Sequence, residues 1–74
     1  MEWIPIDTRP LKTGKYLVGH RGHQEIMWFT GPEKEWVKGT NLGWHPIGHD
    51  WALPADNPAE RFNATHCCLI VSPV

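Results

Sequence analysis

Proline and glycine interrupt this chain every few residues, and between them no stretch keeps the three-to-four-residue apolar spacing of an amphipathic helix. What survives between the interruptions is a set of short runs rich in β-branched and aromatic residues. Lys15–His20 holds Tyr16-Leu17-Val18, Gln24–Thr30 holds Ile26-Met27-Trp28-Phe29, and His66–Ser72 holds Cys67-Cys68-Leu69-Ile70-Val71. These three read as strands, and Trp36-Val37 within Glu35–Lys38 adds a shorter candidate. Arg21-Gly22-His23 and Gly31-Pro32-Glu33-Lys34 are turn sequences. Links this short join antiparallel neighbours and are too short for a parallel crossover. The expectation is therefore a mainly β fold: a small antiparallel sheet of three to four strands.

The N-terminal Trp3-Ile4-Pro5-Ile6 suits an extended segment, and Pro5, which has no N–H to give a ladder, places it at a sheet edge. Residues 39–63 break the pattern: Gly39 to Gly43 is turn-like, and Trp44 to Pro54 alternates apolar and polar residues without a clean period. At their end Asn57-Pro58-Ala59-Glu60 has the form of a helix start, with Asn57 as the N-cap, Pro58 in the first helical position and Glu60 reaching back to the cap. One helical turn over Pro58–Phe62 is expected, closing an otherwise irregular segment.

A chain of 74 residues has room for one small domain, 1–74, of marginal stability. Its five tryptophans matter because a few rings, each burying about 150–250 Å², can supply most of such a core. Trp3, Trp28 and Trp36, in or beside the strand-like runs, are the expected core rings. The net charge of −1 and the scattered basic residues give no concentrated basic footprint, which demotes nucleic acid as the main partner. Met1-Glu2-Trp3 lacks the basic start of a signal peptide, and Cys67–Val71 is far too short to span a bilayer. The expected setting is a cytoplasm, with no membrane partner.

Trp3-Ile4-Pro5-Ile6, Thr8-x-Pro10 and the Gly14-x-x-Leu17-Val18 strand, followed near the end by Thr65-His66, resemble a family of small proteins of unknown function common in phages and prophages. The resemblance covers about the first forty residues and the last ten. It implies a phage-encoded protein working in the host cell cytoplasm, and no shared activity. Two departures stand out. Residues 43–62 look like an insertion, and Cys67 stands where the family's Thr-His-Trp motif has its Trp.

His20, His23, His45, His49, His66, Cys67 and Cys68 are soft metal ligands by type. Structural zinc, however, favours paired cysteines two to four residues apart, and adjacent cysteines in a strand point to opposite faces. No metal or other cofactor is expected. Catalysis has no constellation either: His49-Asp50 and His66-Cys67 are sequence neighbours, not a nucleophile with an oriented base. Binding remains. Trp44, His45, His49, Trp51 and Arg61 in the insertion include the aromatic and Arg types that anchor interfaces. The alternative for Trp44 and Trp51 is that they fold back over the sheet, or that one ring goes in and the other out. The reading is a non-catalytic protein that binds and modulates a host bacterial protein, RNA polymerase first and a defence nuclease second. A metal-stabilised nucleic-acid module is the competing class.

Overall fold

In the computed structural model, residues 2–49 and 51–70 are described. Five strands form one antiparallel sheet: β1 Ile4–Pro5, β2 Gly14–Gly19, β3 Glu25–Thr30, β4 Gly43–Pro46 and β5 His66–Leu69, in the order β1-β5-β2-β3-β4. The mainly β antiparallel class holds, with five strands in place of three to four. Three of the five follow the sequence expectation within a residue or two at their starts; Val71 and Ser72, the expected end of β5, lie outside the described residues.

The extra strands come from two places. Ile4-Pro5 pairs with Cys67 and His66 at the sheet edge, where proline's missing donor costs nothing. β4 lies inside the segment expected to be irregular, pairing Trp44 with Phe29 and His45 with Trp28. Glu35–Lys38 is not a strand. A 3₁₀ turn over Pro32–Lys34 continues into bends there, carrying Trp36 into solvent. One short helix, α1, spans Pro58–Phe62 as expected. Asn57 Oδ1 accepts from the Ala59 N–H at 3.0 Å, and Asn63 closes the helix in a left-handed conformation. None of the described helices is long and apolar enough to cross a membrane.

Register decides which side chains share a face, because directly paired residues point the same way. Tyr16, Val18, Met27, Phe29, Trp44 and Cys67 fall on one face, and all are buried. Leu11, Ala64, Ile6 and Phe62 close over them. The centre is a three-ring cluster. Trp44 stands edge-on to Tyr16 at 5.4 Å between centroids and to Phe29 at 4.8 Å, and Tyr16 meets Phe29 at 6.4 Å. Such tilted pairs contribute about 0.5–1.5 kcal/mol each beyond burial. The Tyr16 hydroxyl donates to the Lys12 carbonyl at 2.6 Å, so the ring's polar end is satisfied.

The core tryptophan is thus Trp44, at 4% exposure, and the expected core rings are displaced. Trp36 is 81% exposed because its segment is a turn; Trp28 is 38% exposed because its parity places it on the opposite face; Trp3 is half-buried. We expect Trp44→Ala to cost about 3–5 kcal/mol and leave so small a domain unfolded. Trp36→Ala should change stability by no more than about 0.5 kcal/mol. Urea melts of both variants check the assignment; a folded Trp44→Ala protein would remove it.

Candidate binding face

The second face of the sheet carries Lys15, Leu17, Ile26, Trp28, Thr30, His45 and Cys68. Only part of it is covered. The chain from Val37 to Asn41 and the turn around Trp51 fold over its β4 end, held by Asn41. That residue's N–H donates to the Trp51 carbonyl at 3.1 Å, its side-chain amide donates to the Ala52 carbonyl at 2.5 Å, and its own carbonyl accepts from His45 Nε2 at 2.9 Å. His45 is buried beneath this clasp. Away from it Cys68 is buried but Ile26 is 50% exposed, and Trp28 beside the clasp and Trp51 within it are each about two-fifths exposed. A pocket of about 240 Å³ lies between Trp28 and Trp51, with Thr13, Thr30, Lys34, Val37 and Thr40 completing its lining.

The residues singled out from the sequence therefore part company. Trp44 turns inward and Trp51 outward. Trp44 and His45, expected at a partner surface, are buried, because β4 inserts one into each layer of packing. His49 is exposed on a turn whose N–H bonds to the Pro46 carbonyl. Asp50, its neighbour, lies outside the described residues.

Arg61 is committed elsewhere. Its Nε meets Asp56 at 2.7 Å, its terminal nitrogens bond the Glu25 carboxylate, and its guanidinium lies 5.0 Å above the Phe62 ring. Hydrogen bonds from Arg61 and then His23 hold the Glu25 carboxyl below its ordinary value, and the Glu25 bond raises Arg61. Arg61 is a tie between α1 and the start of β3 rather than a free anchor. Sequence reading missed Trp28 as a surface ring, and Lys34, Thr30 and Asn41 altogether. The available signal was the unbroken run Ile26-Met27-Trp28-Phe29, apolar on both faces of one strand.

At the far end of the sheet His20 and His66 stack at 4.2 Å, with Trp3 5.3 Å from His20. His20 has φ 92°, a left-handed conformation uncommon for a residue other than glycine. Among the described residues no group of three or more His, Cys, Asp or Glu is placed to hold a metal ion. Cys67 and Cys68 are both buried free thiols on opposite faces, and burial pushes the Cys67 thiol up to about 11. A second cleft, of about 620 Å³, runs beside Arg9, Pro10, Phe29 and Leu42. There Arg9 Nη1 donates to the Ile6 and Thr8 carbonyls, and its guanidinium covers the Phe29 ring at 4.8 Å.

The chain matches no family model, no curated protein and no solved structure.

Two outcomes follow for the titratable groups. A thiol as buried and as weakly acidic as Cys67 is a poor nucleophile, and Cys68 is likewise shut off from solvent, so both cysteines should resist a disulfide-exchange reagent in the native protein and react at once in denaturant. Rapid native labelling of Cys67 would contradict its place in the core. Burial, then the adjacent His66, hold His20 below its ordinary value of 6.5, so the unfolded chain takes up the proton first. Stability from this group is complete above 6.5 and is lost as pH falls below it towards the lower folded value. The Glu25 contribution persists to lower pH, being complete above 4.5 and lost as pH falls through the depressed folded value. A series of urea midpoints against pH should show the first decline in the wild type and not in His20→Asn. A flat profile down to the carboxylate range would contradict it.

Proposed function

We propose that this chain is a non-catalytic, phage-encoded binding protein that attaches to a host bacterial protein through the open second face of its sheet. The observation that carries the reading is the concentration of apolar and aromatic surface there. Ile26, Trp28 and Trp51 stand partly bare beside Leu17, in a domain whose other sheet face holds the buried core. Contiguous apolar surface on a small domain marks a site of association, and tryptophan is the side chain most enriched among residues that dominate binding energy.

The phage setting and the host cytoplasm rest on the resemblance of the Trp3-Ile4-Pro5-Ile6, Gly14-x-x-Leu17-Val18 and Thr65-His66 segments. Within that setting RNA polymerase is the first partner to test and a defence nuclease the second. A stoichiometric modulator needs a shaped, sticky face and no reacting group, which matches a chain whose cysteines are sealed. The geometry adds no observation in favour of a metal-stabilised nucleic-acid module.

The test is direct titration of purified bacterial RNA polymerase, then of a restriction endonuclease, with the wild type and with Trp28→Lys. We expect saturable one-to-one binding that weakens at least about tenfold in the variant, about 1.4 kcal/mol. A thermal melt of each protein separates lost binding from lost fold. Equal binding by a folded Trp28→Lys protein would move the interface off this face, and no binding to either target would remove both partners.

A further inference from the structure

We propose that the pocket between Trp28 and Trp51 seats one aromatic side chain, tyrosine by preference, from an acidic segment of the partner protein. This inference rests on the binding reading above and names the chemistry that the second face recognises.

Size is the first argument. At about 240 Å³ the pocket falls below the roughly 300–1,000 Å³ range of cofactor and small-molecule sites, and suits a single inserted side chain. Its walls are the second. Trp28 on β3 and Trp51 on the overlying turn bring two indoles to one opening, and Val37 adds aliphatic surface. Flat apolar walls of this kind favour a planar ring, which can meet one indole face-on and the other edge-on.

Polarity is the third argument, and it selects the ring. Thr30 is buried at 3% exposure, lines this pocket as well as the cleft beside Arg9, and shares a face with Trp28, yet its hydroxyl has no hydrogen-bond partner among the described residues. An unpaired buried hydroxyl is an uncommon liability in a folded protein. The Thr30 oxygen is shut off from solvent in the unliganded chain, so a ring seated in the pocket reaches it only after local side-chain movement. A phenol oxygen can then pair with it; a phenyl ring cannot.

Charge decides the flanks. Lys34 lines the pocket, and Lys15 stands directly opposite Trp28 on the same face; neither has an ion pair among the described residues. The paired strand residues of this face include no carboxylate: Glu25 belongs to the other face. The neighbouring Glu33 is already bonded to the Thr13 N–H at 2.9 Å. Among the described residues Lys34 is the one charged residue lining the pocket and Lys15 adjoins Trp28, so the described part of the rim is cationic and complementary to acidic residues. The two lysines fall short of the continuous basic track that a nucleic-acid strand needs, in a chain of net charge −1.

The test follows the indole N–H signals of the intact protein by NMR during titration with nine-residue peptides, at low salt. One peptide has a central tyrosine flanked by aspartates; others replace the tyrosine with phenylalanine or alanine, or the aspartates with lysines. Oligothymidylate is the nucleic-acid probe. The Asp-flanked tyrosine peptide should shift Trp28 and Trp51 and saturate, with the alanine and Lys-flanked peptides weaker by about tenfold or more. Lys34→Glu, on an exposed turn, should weaken the acidic peptide by roughly fivefold and strengthen the basic one. Thr30→Val should abolish the preference for tyrosine over phenylalanine. Equal affinity for acidic and basic flanks, shifts confined to other tryptophans, or tighter binding of oligothymidylate would overturn the proposal. The two readings fail separately. A host protein that loses affinity for Trp28→Lys but binds Lys34→Glu and Thr30→Val as tightly as the wild type would sink this pocket and leave host binding through the face standing. Specific capture of the tyrosine peptide without a host protein bound would sink the host reading alone.

Discussion

Everything else in this molecule hangs on the packing of Tyr16, Phe29 and Trp44 against one another on a single sheet face. Three rings from three adjacent strands meet edge-on, at 4.8–6.4 Å between centroids. A small domain has little other apolar volume with which to offset chain entropy. The smaller buried residues Val18, Met27, Cys67, Leu11 and Ala64 fill in around the cluster, and they are too few to replace it. The cluster also explains β4. Without Trp44 paired beside Phe29, residues 43–46 would have no reason to leave the irregular segment and join the sheet.

Because one face takes the rings, the other has to do with less. Its β4 end is roofed by chain that Asn41 fastens through three hydrogen bonds, which hides His45 but stops short of Ile26 and Trp28. The sheet edges are managed separately. β1 is two residues long and contains Pro5, while beside β4 the Asp56 N–H occupies the Trp44 carbonyl at 2.7 Å. Short and capped edges discourage strand-to-strand pairing with another chain. The exposed apolar surface that remains is therefore on a face, where side chains rather than backbone would make the contact.

How much of this could be read from sequence depended on how local the cause was. The α1 cap is written within four residues, and Asn57-Pro58 gave its start without tertiary information. The β2–β3 hairpin was legible from two β-rich runs and a short glycine-containing loop. The edge placement of β1 followed from proline's missing donor. The fate of each tryptophan was not legible, because it depends on strand parity and register. Trp28 and Phe29 are adjacent and equally apolar, yet pairing sends one outward and one into the core. Trp36 lost its strand to a 3₁₀ turn begun by Pro32, and Trp44 gained one by pairing with the distant Phe29. The binding-face residues suffered the same ambiguity: Arg61 has the chemistry of an interface anchor, and only folding reveals Glu25 and Asp56 waiting for it.

The central claim is that a sheet whose core fills one face carries a separable, loosely roofed apolar surface on the other. Native-state amide hydrogen exchange tests it most directly. The amides of Tyr16, Val18, Met27 and Cys67 should exchange only through global unfolding, with a free energy equal to that from urea melts. The Asn41 amide, bonded to the Trp51 carbonyl, should exchange through a smaller local opening with little dependence on denaturant. If Asn41 instead exchanges as slowly as the core and with the same denaturant dependence, the two faces unfold as one unit and the account is wrong.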